Sequence, residues 1–73
     1  MKLTRHIMTV DEIKARVAEI EAMRDDDAEA HVKEDGLYQD VLSAIARGEC
    51  ADPAGCAAAA LETVAICFAR WCD

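Results

Sequence analysis

The feature that most constrains this chain is its last third, residues 53–71, an alanine-rich run in which only Glu62 and Arg70 are charged. Read as a single helix, it places Gly55, Ala59, Glu62, Thr63, Ile66 and Arg70 within one arc of about 100°. Ala57, Ala60, Leu61, Val64, Phe68 and Trp71 take the far side. A helix that is apolar over most of its circumference needs cover from several neighbours, so the rest of the chain is expected to pack around it. Its start is clearly marked. Asp52 is a good N-cap, and Pro53 falls at the first helical position, where its missing N–H costs nothing.

The other elements follow from spacing. Thr9 and Glu12 have the separation of a capping box, and Val10, Ile13, Val17 and Ile20 recur at intervals of three and four to form one apolar stripe. Three consecutive aspartates, Asp25, Asp26 and Asp27, propagate a helix poorly but cap a new one well. A second helix then carries Tyr38, Val41, Leu42 and Ile45 on its core face and stops at Gly48. A competing pattern exists: Val10, Val17, Arg24, His31, Tyr38 and Ile45 are each seven apart, which a continuous helix through the aspartates would also satisfy. The aspartate run decides for a break.

Seventy-three residues leave room for one domain. Aromatic residues are limited to Tyr38, Phe68 and Trp71, so the core must be aliphatic and rich in alanine, which suits closely packed helices. No segment alternates with period two over the length of a strand. The expected fold class is all-α, a three-helix domain with helices at about 10–24, 28–47 and 53–71. The third helix is central, and a loose leader at residues 1–8 precedes the domain.

The net charge of −7 resides in one block, because residues 19–40 hold nine acids against Arg24 and Lys33 while the remaining charges cancel. Nucleic-acid phosphates are disfavoured partners, since binding them needs clustered Lys and Arg. No apolar stretch reaches the roughly 20 residues of a membrane span, and the first eight residues lack the apolar run of a signal peptide, which gives a cytoplasmic location.

One group of side chains has the spacing of a ligand set. His31, Glu34 and Asp35 lie on the face of the second helix where the pattern calls for apolar residues, and Glu21 would stand opposite His31 in an antiparallel hairpin. A second chain would have to complete such a metal site, because bundles of this kind need two inward motifs and this sequence has one. The four cysteines are less suggestive. On a continuous third helix Cys67 and Cys72 stand roughly 8 Å apart and Cys56 more than about 15 Å from either, whereas a disulfide needs about 7 Å at Cα. Only Cys50 and Cys56 can pair within one chain, and reduced, buried thiols are expected. There is no phosphate loop, no nucleophile elbow and no serine with a base beside it in sequence, so no cofactor and no enzyme activity is expected.

The run Ala30-His31-x-x-Glu34-Asp35-x-Leu37, then Val41-Leu42-x-x-Ile45-Ala46-x-Gly48 and the ending Phe68-Ala69-Arg70-Trp71-Cys72, resembles short acidic reading frames of actinobacteria and their bacteriophages. The resemblance implies a cytoplasmic, phage-derived protein and carries over no activity and no functional residue. Two flanking stripes are too narrow to cover the third helix, and Ile66 sits among its polar residues, so a homodimer is expected. The leading expectation for function is a non-catalytic module that binds another protein, such as a host regulator, through Asp25, Asp26 and Asp27 or an apolar patch at Ile66. The alternative is a metal-binding dimer with ligands from His31, Glu34 and Asp35.

Overall fold

In the computed structural model, which describes residues 6–66, the local signals at the helix ends are realised by hydrogen bonds. Helix α1 (Val10–Ala22) opens on the capping box: the Glu12 N–H donates to Thr9 Oγ1 at 3.3 Å, and the Thr9 N–H donates to the Glu12 carboxylate at 2.9 Å. His6 Nε2 lies 2.6 Å from the other Glu12 oxygen. The Thr9 N–H foremost, with lesser help from His6 and the Thr9 hydroxyl, holds the Glu12 carboxyl below its ordinary value of 4.5, against an opposing push from desolvation. A carboxyl depressed in the folded state stabilises the fold above its unfolded pKa, and that contribution is lost as pH falls through the folded value. Thermal melts from about pH 7 down to about pH 3 should therefore show a steeper acid loss for the native protein than for Glu12→Gln, which cannot titrate. Parallel pH profiles would remove Glu12 from the account of acid stability.

The aspartates break the helix. Met23 closes α1, and Asp26 caps α2 (Asp27–Ala46) by accepting the Glu29 N–H at 3.3 Å. The seven-residue pattern that would favour one long helix is thus overruled, because short carboxylate side chains compete for backbone donors where a helix would have to continue. At the other end of α2, Gly48 takes φ +70°, the left-handed region that favours glycine. Its N–H donates to the Ile45 carbonyl at 3.1 Å and the Glu49 N–H donates to Ala44 at 2.8 Å, the paired bonds of a Schellman ending.

The leader is not loose along its whole length. Met8 donates its N–H to the Glu49 carbonyl and accepts the Ala51 N–H, both at 2.9 Å, so it is stitched to the α2–α3 connection in a single parallel bridge. Residues 1–5 lie outside the described residues.

The expected helix over 53–71 is corrected. Asp52 accepts the Gly55 N–H at 3.1 Å and Pro53 opens α3 as read from sequence, but α3 (Pro53–Ala60) gives way to a 3₁₀ turn over Leu61–Ala65, and Ile66 is extended. Residues 67–71 lie outside the described residues. A 3₁₀ turn advances about 120° per residue where an α-helix advances about 100°, so the faces read from an α-helical wheel rotate away within one turn. Leu61 and Val64, expected inside, are 59% and 66% exposed, whereas Thr63 and Ile66, expected among the polar residues, are buried. Burial of Ile66 removes it from any partner-binding surface.

All three helices touch one another. The core combines Ile13, Val17 and Ile20 of α1, Ala30, Leu37 and Val41 of α2, Cys56, Ala59 and Ala60 of α3, and Ile66. Small residues let α3 approach both other helices closely, while the large aliphatic side chains come from α1 and α2. The described residues thus form an all-α three-helix domain in which α3 packs on both other helices and leaves Pro53, Ala54 and Ala58 exposed. Among the described residues, no helix is long and apolar enough to cross a membrane.

Candidate functional site

The three residues read as a ligand set do not converge. His31 Nε2 lies 3.5 Å from Asp35, one turn away, and His31 Nδ1 is enclosed without a hydrogen-bond partner. Glu34 is buried and turned elsewhere, and Glu21 is exposed beside Arg24 at 3.9 Å instead of facing His31. Among the described residues, no group of three or more His, Cys, Asp or Glu side chains could hold a metal ion. The reason is rotational: consecutive helical positions 34 and 35 diverge by about 100°, so the side chain that meets the core and the side chain that meets His31 cannot be the same.

Glu34 belongs to a polar relay that the sequence pattern did not reveal. The Tyr38 hydroxyl lies 3.4 Å from the Glu34 carboxylate and shares a hydrogen bond with the Thr63 hydroxyl on the 3₁₀ turn. Glu34 is 3% and Thr63 0% exposed, so the relay is an internal tie between α2 and the segment after α3. A buried carboxylate is tolerated only where such partners meet it. The i,i+4 spacing of Glu34 and Tyr38 was visible in sequence; Thr63 was not, because it stands 25 residues from Tyr38 along the chain.

Beside this tie, an open recess of about 320 Å³ lies between α2 and α3, lined by Tyr38, Val41, Leu42, Ile45, Ala57, Ala60 and Leu61. Leu42, expected on the core face, is instead 67% exposed on its rim, and Leu61 faces it from the 3₁₀ turn. The large exposed apolar side chains of this region thus stand next to an apolar hollow. The periodic pattern places Leu42 and Leu61 inside, and only the tertiary packing puts them on a surface.

A second, mixed hollow brings His6, Asp40 and Ser43 to one rim. Their partners are already assigned: His6 meets Glu12 at 2.6 Å, and Arg16 donates to Asp40 at 2.8 Å. The acidic residues read as a partner site divide by role. Asp26 spends its side chain on the α2 cap and Asp27 begins the helix, while Asp25 is exposed in the turn between α1 and α2. No family model, curated protein or solved structure matches this chain.

Proposed function

We propose that this chain is a small non-catalytic protein-interaction module that pairs with a second copy of itself and offers its acidic segment to a basic partner protein. The observation that carries the reading is the apolar recess with Leu42 and Leu61 protruding beside it. About a twofold axis, the leucines of each copy can enter the hollow of the other, the self-complementary patch that a symmetric dimer needs. Each leucine so buried contributes about 1.5–3 kcal/mol before the cost of association is met. Asp25 and Asp26 lie just before α2, whose first residue stands about 22 Å from Leu42 at about 1.5 Å per residue, so pairing through the recess leaves them open to solvent. Charge attraction at such a site is screened by salt. In a phage-derived cytoplasmic protein, as the sequence resemblance implies, the natural basic partner is a host regulator.

Size-exclusion chromatography with light scattering on the 8.0 kDa chain is expected to give about twice that mass at high micromolar concentration, and Leu42→Glu is expected to return the monomer. A monomeric native protein would overturn the pairing. For the acidic segment, a partner captured from host lysate at low salt should be lost at high salt and lost with Asp25→Lys, which changes charge without touching a cap. Capture that ignores both changes would detach the acidic block from function.

A further inference from the structure

Cys50 and Cys56 are six positions apart, with the Asp52 cap of α3 between them. Cys56 is wholly buried in the core and Cys50 half-buried against it. Cys50 lies close enough to add to the upward push on the Cys56 thiol. Both also converge on the same backbone unit: Cys50 pairs with Met8 across the parallel bridge, and Cys56 Sγ donates to the Met8 carbonyl at 4.0 Å. A bond between the two sulfurs closes the short loop of residues 50–56 and needs Cα atoms within about 7 Å.

We propose that Cys50 and Cys56 are a reversible redox pair that closes to an internal disulfide across the start of α3 when the protein meets a low-molecular-weight disulfide such as oxidised glutathione. This reading is independent of the pairing surface, whose lining includes neither cysteine. The exposures of the two thiols set the order of events. Burial foremost, and then the neighbouring Cys50 thiol, pushes the Cys56 thiol up, so it stays protonated at neutral pH. Cys50, the more accessible sulfur, reacts first. Its thiolate attacks one sulfur of oxidised glutathione, breaks the S–S bond and releases a glutathione thiolate, leaving a mixed disulfide on Cys50. Cys56 then gives its proton to the released thiolate, attacks the Cys50 sulfur and expels the second glutathione, which takes up the Cys50 proton. Two protein thiols are oxidised to one disulfide, and one glutathione disulfide is reduced to two thiols.

The bond would close residues 50–56 into a loop that holds the end of the α2–α3 connection to the first turn of α3, beside the Met8 stitch. By restricting the unfolded chain it should raise the melting temperature by about 10 °C.

The test uses the native chain equilibrated in glutathione buffers of increasing oxidation, quenched by alkylation and cleaved after glutamate. Glu49 and Glu62 bound a peptide, residues 50–62, in which Cys50 and Cys56 are the only cysteines. The expected result is a peptide lighter by two hydrogens and unalkylated under oxidising conditions, regained as the doubly alkylated form on reduction. Cys50→Ser should abolish the species, with circular dichroism confirming that the variant folds. Two alkylated thiols at every poise would overturn the proposal. So would glutathione retained on Cys50, a cross-link from residues 50–62 to Cys67 or Cys72, or a melting temperature that does not rise on oxidation.

Discussion

Leu37→Ala is expected to cost about 2–5 kcal/mol, the range for removing a large aliphatic side chain from a site that cannot collapse. Leu37 is 0% exposed and stands where α2 meets the Ile13, Val17 and Ile20 stripe and the small residues of α3. A domain of this size has a total stability toward the low end of about 5–15 kcal/mol, so the variant should be largely unfolded near physiological temperature. Urea titration followed by helical circular dichroism reads the loss directly. Val32→Ala on the same helix, at a site 61% exposed, is the internal control and should fall within about 0.5 kcal/mol of the native protein. Similar midpoints for the two variants would mean that Leu37 is not a core residue.

The second large effect is expected at Tyr38. Tyr38→Phe takes one hydrogen-bond partner from the buried Glu34 carboxylate and one from the buried Thr63 hydroxyl. Withdrawing a partner from a buried polar group costs about 1–3 kcal/mol, more where the group is charged, while the phenyl ring keeps the packing. Thr63→Val, which fills the same space without the hydroxyl, should also destabilise. The two effects should not add: the double variant is expected to lose less than the sum by about 0.5–3 kcal/mol, because both single changes break the same bond. Strict additivity in denaturant melts would show that the hydroxyls are not coupled. The experiment also probes the segment after α3, since Thr63 lies on the 3₁₀ turn at Leu61–Ala65.

The same division runs through the whole molecule. The capping box at Thr9 and Glu12, the restart at Asp26, the glycine ending at Gly48 and the Asp52–Pro53 start were all legible in the amino-acid order. Each is decided by a side chain and a backbone group within a few residues, where no distant contact can outweigh the local hydrogen bond. The stripe of Ile13, Val17 and Ile20 was legible for a related reason, because helical periodicity assigns a face before any partner is known.

Tertiary structure alone decided where the third helix stops, that Ile66 turns inward while Leu61 and Val64 turn out, that Glu34 meets Tyr38 and Thr63 instead of His31, and that Cys50 and Cys56 meet at Met8. These outcomes rest on contacts between residues far apart in sequence. An alanine-rich segment with β-branched residues at its end has little intrinsic preference between continuing as an α-helix and tightening to 3₁₀, a balance of a few tenths of a kcal/mol per residue. Burial of Ile66 and the tie from Thr63 to Tyr38 are each worth more than that balance. Local order therefore set the beginnings and breaks of the helices, and packing set the last turn and the surfaces it exposes.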